Sequence, residues 1–234
     1  MAYLKKKGHP PDKFGNPKRG GVKNKPRQYL YLTLDQVEKI LHEIEKDAEN
    51  KNIKRDHCAI YLSYFFGLRI GECAILERKH FRFIQDGQVF IPTLKQRDCD
   101  EKGQKTIPER SPPYVESFVV NYVTNYLQNS IKPEENWLFT TAPRKHISTM
   151  TLFNVFTTYC LRAGLAKYYS WHSLRHGRAV YIYENFTDQV MVKDMLRHSD
   201  LDSSKIYINL SPGKIAQMRE KLESIHPNIR APGA

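Results

Sequence analysis

In the run H-S-L-R-H, His172, Arg175 and His176 stand three and four residues apart. On an α-helix those offsets bring all three side chains to one side. A helix start already favours anions through its free N–H groups and its dipole. A guanidinium adds two parallel hydrogen bonds to a single phosphate. The run therefore describes a receptor of phosphate size. Two distant stretches carry related residue types. Upstream, G-L-R-I-G-E places Arg69 just after a helix-ending glycine, with Glu72 three residues on. Downstream, L-R-H-S carries Arg197 and His198, and Tyr207 follows nine residues after His198.

Several elements must position these residues. Order is expected from Tyr29 onward, because Thr33 and Gln36 have capping-box spacing ahead of a helical repeat of Leu34, Val37, Ile40, Leu41 and Ile44. A second helix is read through HCAIYLSYFF to Gly67, and a third from Ile70 through GECAILERKHF. QVFIPTL and KTIP flank a polar turn and read as a long hairpin. Helices are then expected from Pro112-Pro113 to about Gln128, through TLFNVFTTYCLRAG, from His172 to about Asn185 and from Asp188 to Leu196, with a tail helix from Pro212 to about Glu223. This pattern is α+β, mainly α-helical, with one small antiparallel sheet.

Composition sets the partner class. The chain has 234 residues and a formal net charge of +12, which favours a polyanion, and nucleic acid before an anionic membrane. The longest apolar run, AIYLSYFFGL, is too short and too polar to span a bilayer. A soluble, cytoplasmic and nucleoid-associated protein is expected. Cys58, Cys73, Cys99 and Cys160 lie far apart without a Cys-x-x-Cys pair, so neither a zinc site nor a disulfide framework is suggested. Residues 1–28 hold Lys5, Lys6, Lys7, Lys13, Lys18, Arg19, Lys23, Lys25 and Arg27 against one acid, Asp12, with no apolar periodicity. They read as a flexible basic arm suited to lie along phosphates.

Taken together, G-L-R-x-x-E, a hairpin lysine, H-x-x-R-H, a histidine in an L-R-H context and a tyrosine nine residues later resemble the tyrosine recombinase family, the phage-type integrases. The resemblance runs from about Tyr29 to Pro212. It implies the family's catalytic-domain fold over residues 29–211, preceded by the arm (1–28) and followed by a tail helix and a disordered end (212–234). With almost nothing ahead of the catalytic domain, the chain is similar to the short invertases of fimbrial phase switches. Two departures stand out. Arg197 occupies a position that the family usually gives to glycine, adding a cation near the site or changing the turn; it is counted among the DNA-binding residues. Gly177 stands where a hydroxyl residue is common, a difference expected to matter little.

The resemblance also implies a chemistry. The Tyr207 hydroxyl would attack a DNA phosphodiester, giving a 3′-phosphotyrosine and a free 5′-hydroxyl. Arg69, Arg175 and His198 would stabilise the transition state, and His172 would accept the phenol's proton or orient it. A hairpin lysine would protonate the leaving oxygen: Lys95 is the first choice, with Lys102 and Lys105 open. Glu72 would hold an arginine from behind, and His176 would be packed and hydrogen-bonded. No metal, cofactor or ATP is implied. The partner is double-stranded DNA, held by a homotetramer on two sites, with a monomer or dimer possible off DNA. A type IB topoisomerase, or a non-catalytic DNA-binding module of the same fold, are the competing readings.

Overall fold

The structure, a computed structural model, describes residues 30–94, 98–99, 104–165, 169–186 and 188–197, with backbone only at 98, 99 and 105. Helix α1 (Leu34–Glu45) opens with the reciprocal cap expected from its sequence: the Gln36 N–H donates to Thr33 Oγ1, and the Thr33 N–H donates to Gln36 Oε1. Its buried stripe of Val37, Ile40, Leu41 and Ile44 follows the helical period. Helix α2 (Ile53–Phe65) is the central rod, burying Cys58, Ala59, Ile60, Leu62 and Tyr64. It packs against α1 and α3 (Ile70–Ala74), and against α4 (Ser117–Asn129), α5 (Thr149–Arg162) and α6 (Trp171–Phe186). Helix α7 (Gln189–Met195) docks on α6 through Val192, Met195 and Leu196, with Ala179, Val180 and Ile182 opposite. A seven-residue helix is not stable alone. Each side chain of this kind that is sealed from water contributes about 1.5–3 kcal/mol, which holds α7 in place.

The hairpin exists as two short antiparallel ladders. Strand β1 (Ile91–Pro92) pairs with β4 (Glu109–Arg110), and farther out β2 (Asp98–Cys99) pairs with β3 (Lys105–Thr106). A second hairpin, β5 (Thr140–Ala142) with β6 (Lys145–His146), was not expected; its return depends on Arg144 at φ 59°. Together the elements give the α+β, mainly helical domain with small antiparallel sheets. Among the described residues, no helix is long and apolar enough to cross a membrane.

Two helix boundaries differ from expectation. Helix α3 ends at Ala74 rather than running to Phe81. The Leu76 carbonyl instead accepts from Leu138 N–H at 2.7 Å, and Arg78 N–H donates to Asn136 O at 2.8 Å, so the segment becomes extended before a 3-10 turn at Arg78–Phe81. Helix α4 starts at Ser117, not at Pro112-Pro113. A residue preceding proline is pushed out of the helical region, and two consecutive prolines extend that effect to Ser111 and Pro112. The tail helix expected from Pro212 lies outside the described residues.

Candidate active site

The site grows from the C-terminal ends of two helices. At the end of α2, Gly67 takes φ 55°, its N–H donates to Tyr64 O, and Leu68 N–H donates to Ser63 O, both at 3.0 Å. This is the paired closure that a left-handed residue permits after a helix. The chain then turns directly into α3, whose first flanking residue is Arg69. Glu72 reaches back across that turn. Its Oε2 accepts from the Arg69 backbone N–H at 2.9 Å, and its Oε1 accepts from Arg69 Nη1 at 2.6 Å. Glu72 is closed to solvent, whereas the Arg69 side chain retains 22% exposure. The carboxylate thus lies on the buried side of the arginine.

Helix α6 delivers Arg175 to the same place. Its guanidinium donates to Gly67 O, and to Leu196 O at 2.6 Å, and it lies 4.0 Å from Glu72 Oε2. Carbonyls at helix C-termini carry partial negative charge, so a cation is favoured between two of them. The approach of α6 depends on Gly177. A Cβ there would collide with the Leu32 carbonyl oxygen, and Leu32 N–H donates to Ser173 O at 3.1 Å alongside. The glycine at this position therefore matters, contrary to expectation: a hydroxyl side chain would push α6 away from the segment leading into α1.

His172 lies in the first turn of α6 with its side chain exposed. Protein atoms crowding the ring lower its pKa, and the Arg175 and Arg69 guanidiniums lower it further. The imidazole is therefore neutral at neutral pH and able to accept a proton. His176 follows one turn later, its ring centroid 6.2 Å from that of His172. Burial first, then His172 and Arg175, bring its pKa down to about 4.

Arg197 corrects one expectation. Its guanidinium is buried and turned toward the end of α2 and the inner side of Glu72. Its backbone takes φ 56°, and its N–H donates to Asp194 O at 3.0 Å, closing α7 much as Gly67 closes α2. The turn typical of glycine is thus kept with an arginine in it. The side chain runs inward: Nη1 donates to Phe66 O at 2.7 Å, and Nη2 lies 3.5 Å from Glu72 Oε2. Burial brings its pKa down to about 10, against the Glu72 carboxylate and with help from Arg69, so it remains a cation at neutral pH.

Three of the six expected catalytic residues, Arg69, His172 and Arg175, are thus brought together. Lys95, His198 and Tyr207 lie outside the described residues, as do Lys102 and the arm cations Lys5, Lys6, Lys7, Lys18, Arg19, Lys23, Lys25 and Arg27. Leu94, just ahead of Lys95, lies so close to α3 that its Cδ1 would be 2.8 Å from a Cβ on Gly71. Arg197, just ahead of His198, touches Glu72. Lys105 lies in β3 opposite Cys99. Sequence reasoning missed Arg178, which is 2% exposed, pairs with Glu116 ahead of α4, and lies over the Phe65 and Tyr181 rings. Its spacing of three from Arg175 was the available signal. Among the described residues, no group of three His, Cys, Asp or Glu side chains converges as metal ligands do.

Comparison with known proteins places the chain in a family. The phage integrase family profile matches residues 30–214. The tyrosine recombinase XerD of Staphylococcus haemolyticus is 29% identical over 185 residues, covering 78% of this chain and 59% of that protein. The tyrosine recombinase XerC of Escherichia coli O127:H6 is 26% identical over 216 residues, covering 92% and 67%. The chain thus spans about three fifths to two thirds of the length of these relatives. Among solved structures, the XerH site-specific recombinase bound to a palindromic difH substrate after cleavage superposes with a TM-score of 0.65 at 21% identity, over 83% of this chain and 54% of that one. The Tn1549 transposon integrase bound to transposon right-end DNA gives a TM-score of 0.65 at 16% identity, over 86% and 68%. At these identities the likeness establishes the fold.

Proposed function

The chain belongs to the phage integrase family, and from that premise we propose that it is a site-specific DNA recombinase acting through a 3′-phosphotyrosine. The Tyr207 oxygen forms a bond to the scissile phosphorus as the bond from phosphorus to the 5′-oxygen breaks. The phenol's proton passes to His172, and a hairpin lysine, Lys95, protonates the 5′-oxygen. A phenol titrates near pH 10, so it needs this help at neutral pH. Negative charge gathers on the non-bridging oxygens during attack. Arg69, Arg175 and His198 face that charge, and losing one such preorganised donor costs roughly 3–4 kcal/mol of transition-state stabilisation. The free 5′-hydroxyl of another strand then attacks the phosphotyrosine and releases Tyr207. One phosphodiester replaces another, so no nucleotide cofactor is required.

The single observation that carries this reading is the convergence of Arg69 and Arg175 on one sealed carboxylate, Glu72, from positions more than a hundred residues apart. A packing helix has no physical need for such a cluster; a phosphoryl-transfer site does. Double-stranded DNA is the partner, in keeping with the DNA complexes of the similar XerH and Tn1549 structures. Residues 29–211 form the catalytic unit, residues 1–28 a DNA-contacting arm, and residues 212–234 a tail that links protomers in a tetramer on two sites.

The test uses supercoiled plasmid carrying two copies of the DNA flanking the gene. Recombined circles are the expected product. Relaxation without recombination would instead indicate a nicking-closing enzyme, and an unaltered plasmid a DNA-binding module.

A further inference from the structure

Arg197 is an expensive residue for its position. Its φ of 56° suits glycine, and an arginine there carries backbone strain. Its guanidinium is stripped of water, and its Nε and Nη2 have no hydrogen-bond partner among the described residues. Strain and desolvation of this kind persist only where the surroundings over-determine them, and they cluster at functional sites. What the arginine obtains is proximity to Glu72.

Three guanidiniums surround that one carboxylate. Arg69 lies at 2.6 Å, Arg197 at 3.5 Å and Arg175 at 4.0 Å. Three positive charges and one negative leave the cluster at +2. With glycine at position 197 it would be +1, and Glu72 would draw only on Arg69 and Arg175, the two arginines assigned to the phosphate. A phosphodiester enters with one negative charge and approaches two as the nucleophile adds. The cluster as built matches the transition state, not the ground state, which is the condition for accelerating a step.

We propose that Arg197 is a positioning residue for strand cleavage: it occupies Glu72 from the buried side, so that Arg69 and Arg175 keep their full charge for the scissile phosphate. It also ties the turn leading into His198 to Phe66 O at the end of α2. The proposal rests on the reading of the site as a recombinase centre. It adds a residue that acts through Glu72 and never touches DNA.

The test compares full-length wild type with R197G and R197K on nicked duplexes made from DNA flanking the gene. One duplex carries an ordinary scissile phosphate and the other a methylphosphonate, which lacks the charge. Covalent adduct is followed in time, and thermal melting in parallel. For R197G, adduct formation on the phosphate should fall by tenfold or more, while the rate on the methylphosphonate changes by less than threefold. R197K should recover most of the loss. Equal falls on both substrates would assign Arg197 to stability alone, and unchanged rates would leave it without a role; either result overturns the proposal. Failure of R197K to recover activity would overturn the charge argument. A wild type that forms no adduct on either duplex would overturn the recombinase reading itself, and this proposal with it.

Discussion

The Glu72 carboxylate, sealed from solvent, accepts from both the backbone N–H and the guanidinium of Arg69, at 2.9 and 2.6 Å. One side chain thereby caps a short helix and fixes the direction of the arginine proposed to meet the phosphate. Glu72→Gln keeps the volume and removes the charge, leaving buried Arg175 and Arg197 without a counter-ion. Breaking a buried ion pair in this way costs about 3–5 kcal/mol. Urea unfolding should show a loss of unfolding free energy of that order, and a change below about 1 kcal/mol would mean that solvent screens the cluster.

Gly177 gives a second, purely steric prediction. Gly177→Ser adds a Cβ where the Leu32 carbonyl already stands. Overpacking against backbone costs about 1–3 kcal/mol, and because α6 carries both His172 and Arg175, DNA cleavage should fall along with stability. A serine variant as stable as the wild type would show that α6 can move off Leu32 freely.

The histidines set the response to acid. His176 titrates near 6.5 in the unfolded chain and at about 4 when folded, so between those values the unfolded chain binds a proton that the folded one refuses. Its contribution to stability is complete above pH 6.5 and is lost as the pH falls toward 4, at most about 3 kcal/mol in all and less where solvent screens the ring. His57, His80 and His172 are displaced in the same direction, each mainly by burial. His176→Asn should flatten the decline of unfolding free energy across that window; an unchanged slope would show that His176 does not titrate there.

The basic arm predicts a salt effect. Deleting residues 1–28 removes nine cations, so DNA affinity should drop and its dependence on salt should become shallower as fewer counter-ions are released. Binding measured across a salt series checks this, and an unaltered slope would leave the arm without contact to phosphates.

Much of the site was legible because local spacing carried it. The offsets among His172, Arg175 and His176 already state which side chains share a helix face, and the spacing of Arg69 and Glu72 is that of a helix cap and the residue reaching back to it. The capping box at Thr33 likewise needs no tertiary partner. Arg197 and Gly177 were misjudged for the opposite reason. A cation beside a catalytic motif reads as a phosphate contact until Phe66 O and Glu72 are seen to enclose it. A glycine reads as neutral until Leu32 is found against it. Helix α3 is shorter than its sequence suggests because pairing of Leu76 with Leu138, 62 residues on, overrides local helical tendency.

The proposed chemistry requires that Tyr207 become covalently joined to DNA at a site built from Arg69 and Arg175. The most direct measurement incubates full-length protein with a nicked suicide duplex in EDTA, digests the trapped adduct and maps the modified peptide by mass spectrometry. The expected product is a 3′-phosphate linked to Tyr207, undiminished by the chelator, with no adduct from Tyr207→Phe although that variant still binds DNA. An adduct on any other residue, or one that persists in the phenylalanine variant, would contradict it.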